Sequence, residues 1–236
     1  MLLNVSSLLL LLAITALAAP APSAFNGSAV IPDITVQQLQ AAAPKICATV
    51  TEECHPAADA IKGINTAFKN YGLEKLGQKA ALLGLMTLES GDFTYNVNHF
   101  PGRPGQGTKA MLMFPHIYKY AWSQPDLTAE VMRISNGITP DVGFGNMDKI
   151  RVEDQKAIRA LVLPEKYTYA AAMWYLQNMC DAAMPRKLAD NGFAGFKEYI
   201  GACVYAGDVT PDRLAKWCAT VKALKPEGMA APTECN

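Results

Sequence analysis

Net charge is missing from this 236-residue chain: 21 Lys and Arg balance 21 Asp and Glu. The balance excludes a basic footprint for nucleic acid and gives no push toward an anionic or a cationic polymer. Long apolar runs are also missing beyond the N-terminus, where every apolar stretch is broken by charge, proline or glycine, so no downstream segment reads as a membrane span. The signatures G-x-S-x-G, G-x-x-x-x-G-K-[ST] and G-x-G-x-x-G are absent. The three histidines, His55, His99 and His116, form no H-E-x-x-H or similar ligand pattern, and neither a metal nor another cofactor is expected.

What is present begins with an apolar N-terminus followed by Ala16, Ala18 and Ala19, the pattern of a secretory signal over residues 1–19. A linker or short pro-segment rich in Ala, Pro, Ser and Gly fills residues 20–33, leaving residues 34–236 as one domain large enough for a substantial core. The six cysteines, an even number in an exported chain, predict three disulfides. Cys47–Cys54 is the favoured local pair, and the other four are expected to pair among themselves, with Cys203–Cys218 as one candidate.

Apolar spacing predicts helices over residues 35–46, 55–71, 73–90, 127–135, 153–161, 167–183, 193–202 and 211–224, with breaks at Gly and Pro. Residues 93–100 are instead rich in strand formers, and PGRPGQG at 101–107 cannot continue a helix, so a small irregular β segment is expected there. The fold class is therefore mainly α.

The stretch of residues 82–100, LLGLMTLESGDFTYNVNHF, carries the strongest chemical signal. Leu82, Leu85 and Met86 precede Glu89 by seven, four and three residues, so the carboxylate shares their helix face. Gly91 stops the helix and leaves Glu89 at the negative end of its dipole. Burial and dipole both raise the pKa, which suits a general acid; a structural glutamate is the alternative. Asp92 is the nearest second carboxylate, with Asp126, Asp141 and Asp148 as later alternatives. Tyr95, Asn96, Asn98, His99, Arg103 and Gln106 follow as polar and aromatic groups suited to sugar hydroxyls. Trp122, Trp174 and Trp217 read as core.

A helix ending on Glu89-Ser90 before a β segment resembles the lysozyme superfamily, in particular goose-type lysozymes and lytic transglycosylases. Residues 105–114, GQGTKAMLMF, are similar to the Gly-rich stretch of the transglycosylases, with Phe114 where an amide is expected. Residues 170–176, AAAMWYL, are similar to their late helix, which places Tyr175 near the acid, with Leu176 departing from the Asn. The resemblance implies a lysozyme-like α+β fold stapled by disulfides and a secreted, monomeric glycoside hydrolase. In it Glu89 is the general acid, Asp92 its partner, and Tyr95, Asn98, Arg103, Gln106 and Tyr175 bind substrate. The implied substrate is peptidoglycan, with chitin or chitosan next, and lytic transglycosylation is the outcome if no second carboxylate serves. A non-enzymatic secreted binder of glycans or of a partner protein is the competing expectation.

Overall fold

The computed structural model describes residues 23–140 and 149–236. The expected signal peptide and the candidates Asp141 and Asp148 lie outside the described residues. The chain is mainly helical, in the order α1 (Val36–Ala42), α2 (Ala57–Asn70), α3 (Leu76–Glu89), α4 (Phe114–Trp122), α5 (Thr128–Ile134), α6 (Val152–Leu161), α7 (Glu165–Thr168), α8 (Ala170–Met179), α9 (Met184–Asp190), α10 (Gly192–Glu198) and α11 (Pro211–Leu224). A π-helical turn, Tyr199–Cys203, continues α10 directly. No helix among the described residues is long and apolar enough to cross a membrane.

Helix α3 is the centre of the body because its sequence has almost no polar face. Leu76, Ala80, Ala81, Leu82, Leu83 and Met86 are all buried, each large side chain contributing about 1.5–3 kcal/mol when fully removed from water. Its start is fixed by Gln78, whose side-chain oxygen accepts the Lys75 backbone N–H at 3.1 Å while its amide donates to the Pro185 carbonyl at 2.9 Å. Against it lies α11, set by the Thr210 cap, whose hydroxyl accepts the Arg213 N–H, and by Pro211 at the first helical position. The two backbones meet at Gly84, where an added Cβ would stand 3.1 Å from Trp217 Cα. Trp217 is buried there, stacked on Phe196 at 5.4 Å, and Trp174 is buried as well. Trp174 and Trp217 are core, as the sequence predicts, whereas Trp122 is half-buried and packs against the core from its edge.

One cation of α3 itself is enclosed. Lys79 is 2% exposed, donates to the carbonyls of Ile31 and Pro32 at 3.2 and 3.0 Å, and lies over the Phe68 ring. It anchors the segment that precedes α1.

Three expectations are corrected. The pairs are Cys47–Cys54, Cys180–Cys203 and Cys218–Cys235, so Cys203 does not join Cys218. The π-helical turn carries Cys203 to the end of α8, whereas Cys218 on α11 meets the C-terminal turn. The helix expected over residues 167–183 divides into α7 and α8, and α9, which the Pro185 break concealed, follows. The strand formers at residues 93–100 make no strand: Val97 and Leu112 each bridge Gly107, and nothing longer forms there. The cause is local. Gly91, Asp92 and Phe93 all have left-handed φ, of 58°, 54° and 63°, which turns the chain back at once. The carbonyls of Phe93 and Tyr95 are then taken by the Lys109 ammonium, at 2.9 and 3.2 Å, in place of a partner strand.

Candidate functional site

Glu89 is the last residue of α3, and Ser90 closes the helix. The Ser90 hydroxyl donates to the Met86 carbonyl at 2.7 Å and accepts the Phe93 N–H at 2.9 Å, so one side chain finishes the helix and starts the reversal. That reversal sends Glu89 and Asp92 to different surroundings.

Glu89 lines an apolar chamber of about 660 Å³, a volume that includes its open mouth. Leu82, Leu85 and Met86 form the floor, on the face that the helical spacing assigns them. Ala110 to Met113, His116 of α4 and Tyr175 of α8 also line it. The His116 and Tyr175 rings meet edge to face, 4.9 Å apart. Tyr175 spends its hydroxyl on the Cys203 carbonyl at 3.0 Å, so the chamber wall is tied to the Cys180–Cys203 staple. Tyr199 and Val204 complete the lining.

Burial raises the Glu89 carboxyl above its ordinary 4.5, and the nearby Arg213 offsets part of that rise. Burial, assisted by the Lys119 charge, lowers the His116 imidazole, and burial raises the Tyr175 phenol. Each group is thus shifted toward its neutral form, the expected response of titratable side chains in an apolar space. A neutral Glu89 donates one hydrogen bond, and a neutral His116 retains one acceptor nitrogen.

A second, open groove of about 840 Å³ adjoins the chamber. Glu89 and Met111 line both. Tyr95, Val97 and Phe100 supply its apolar surface, Asn98, His99 and Gln106 its polar one. The polar residues are already engaged in holding the loop. Asn98 accepts the N–H groups of Gly102 and Arg103 at 2.8 and 3.0 Å and donates to the Phe100 carbonyl. Gln106 donates to the Met111 carbonyl at 2.9 Å. His99 contacts Glu53 at 2.8 Å, and the same Glu53 carboxylate accepts the Asn96 and Val97 N–H groups. Beneath the loop lies Lys109, fully buried, donating to the carbonyls of Glu53, Phe93 and Tyr95; burial pushes its amine down to about 8.

The structure thus brings Glu89 together with Tyr95, Asn98 and Gln106 in the groove and with Tyr175 in the chamber. It does not bring Arg103, whose guanidinium lies 3.4 Å from the Met113 sulfur, nor Asp92. Asp92 is 2% exposed, ion-paired with Lys216 of α11, and accepts the Lys45 N–H at 3.2 Å. It lines neither space and is a structural link between the turn, α11 and the end of α1. Asp126 is likewise engaged elsewhere, with Lys166 and with the Tyr167 hydroxyl at 2.5 Å. Sequence reasoning missed His116, Tyr199, Met111, Glu53 and Lys109. Met111 and His116 stand in an apolar run without clear period, and Lys109 carries no signal of burial, since an isolated lysine reads as exposed.

No family model matches the chain, and no solved structure matches it. A bifunctional dioxygenase–epoxy alcohol synthase of Fusarium oxysporum (strain Fo5176) is 32% identical to it over 141 residues, which make up 60% of this chain and 10% of that protein. The chain therefore spans about a tenth of that relative's length. This likeness overturns the expectation of a glycoside hydrolase, with its lysozyme or muramidase activity on peptidoglycan, chitin or chitosan: the related protein is named for oxidative chemistry. The geometry carries a physical reason in the same direction. Glycoside hydrolysis by a carboxylate pair needs a second carboxylate facing the acid. Asp92, the residue expected in that role, is sequestered by Lys216.

Proposed function

We propose that this chain is a secreted ligand-handling protein of oxidative metabolism. It binds an uncharged, largely apolar molecule bearing an oxygen function of the epoxy-alcohol class. The observation that carries this reading is the chamber beneath Glu89: an apolar lining around one carboxyl that burial holds toward its neutral, hydrogen-bond-donating form. An epoxide or alcohol oxygen is an acceptor for that donor, and the hydrocarbon around it matches Leu82, Leu85 and Met86. The name of the related enzyme, an epoxy alcohol synthase, supplies the class of molecule. Secretion is supported by the pairing of all six cysteines. For the scaffold we favour a lysozyme-like arrangement, in which a central helix ends on a glutamate beside an irregular bridged loop, used here for an apolar ligand.

Calorimetric titration with a hexyl epoxy alcohol tests the reading. Saturable binding is expected, weakened about tenfold by Leu85→Trp, which fills the chamber, and by Glu89→Ala, which removes the donor. Absence of binding, or binding indifferent to Leu85→Trp, overturns it.

A further inference from the structure

Chamber and groove differ in lining but adjoin, and the residues they share, Glu89 and Met111, mark where they meet. Met111 is held there by its backbone. It has φ 46°, sits in the tight turn after Thr108 (φ 67°), and its carbonyl is fixed by the Gln106 amide at 2.9 Å. Apolar surface continues past this junction. Tyr95 and Phe100 line the groove with 38% and 91% of their surface exposed, an unusual outlay of aromatic area on a loop otherwise held by polar contacts. The polar contacts of Asn98 and His99 are spent on the loop and on Glu53, and the two exposed rings supply the groove's apolar recognition surface.

We infer that chamber and groove form one site for a molecule whose oxygen function lies in the middle of a hydrocarbon chain. One apolar arm fills the chamber, the oxygenated carbons stand between Glu89 and Met111, and the second arm runs outward over Tyr95 and Phe100. The placement follows from where donors and apolar surfaces fall. A molecule oxygenated only at its end leaves either the chamber or the aromatic groove unfilled when its oxygen is at Glu89. The inference rests on the ligand class proposed above and adds to it the position of the oxygen function and a second apolar subsite.

Two probes separate the inference from that reading. The first is the hexyl epoxy alcohol, with a single arm. The second is the same epoxy alcohol unit carrying a hexyl arm on each side. The full-length chain is expected to bind the two-armed probe at least about tenfold more tightly, since the methylene groups of the second arm leave water. The double variant Tyr95→Ala, Phe100→Ala is expected to abolish that gain and leave the one-armed affinity within about twofold, because neither side chain lines the chamber. Equal affinity of the two probes for the wild type, or a gain that survives in the double variant, overturns the inference while the chamber reading stands. Failure of the one-armed probe to bind at all overturns both.

Discussion

The two sides of the turn after α3 show how one short segment is stabilised in two ways. On the chamber side, Glu89 stands among Leu82, Leu85 and Met86, and its carboxyl is shifted toward the neutral acid because little there compensates its charge. On the opposite side, three residues later, Asp92 is more deeply buried yet matched by the Lys216 ammonium and the Lys45 N–H. Two carboxylates three residues apart thus meet opposite surroundings, one apolar and one supplied with a cation and a backbone donor. The same contrast separates the scaffold from the loop. Helices α3 and α11 meet through apolar packing, whereas residues 93–107 are held from beneath by a buried ammonium and from the side by the Glu53 carboxylate.

Removing the buried cation is expected to break this contrast most severely. Lys109→Met keeps the bulk of the side chain but leaves the carbonyls of Glu53, Phe93 and Tyr95 without their shared donor. A loss of about 4 kcal/mol is expected, read as the midpoint of urea denaturation, because enclosed acceptors deprived of a charged donor cost about 1–3 kcal/mol each. A variant as stable as the wild type would show that the loop closes over those carbonyls without help. Next in size is Asp92→Ala, which removes the buried carboxylate that pairs with Lys216 and accepts the Lys45 N–H. About 3 kcal/mol is expected to be lost in the same measurement, and ligand binding in the chamber is expected to survive wherever the variant is folded. Loss of binding by folded Asp92→Ala would return Asp92 to the functional site.

The central helix and its carboxylate were legible because their causes are local. The apolar residues preceding Glu89 recur at helical spacing, and Gly91 with its left-handed φ marks the stop. The Thr210-Pro211 start of α11 was legible for the same reason. What escaped is carried by contacts between distant parts of the chain. Lys216 lies 124 residues from Asp92, and Lys109 lies 56 residues from Glu53; nothing near either lysine marks its destination. The strand formers of residues 93–100 misled because β propensity describes fitness for a pleated surface, and here no neighbouring strand supplies one. The Glu89-Ser90 pair misled differently. Ser90 caps the helix and starts the reversal, so the pair has a structural cause independent of any reaction. The oxidative likeness was not legible in any motif and entered from a related protein.

The smallest expected effect bears most directly on the Glu89 side of the comparison. Burial raises its folded-state pKa above the ordinary 4.5, with Arg213 offsetting part of the rise. Between those two values the folded chain holds a proton that the unfolded chain has released, so the contribution of this group to stability is fully present below 4.5 and is lost as pH rises through the folded value. Glu89→Gln retains the shape and removes the titration. Its melting temperature near neutrality is therefore expected to exceed that of the wild type by on the order of 2 °C. The difference should vanish when both proteins are melted below the ordinary carboxyl value, where wild-type Glu89 is protonated folded or unfolded. A glutamine variant less stable than the wild type at neutrality would mean that the carboxylate is compensated after all, by Arg213 or by another partner, and the contrast with Asp92 would collapse into a difference of degree.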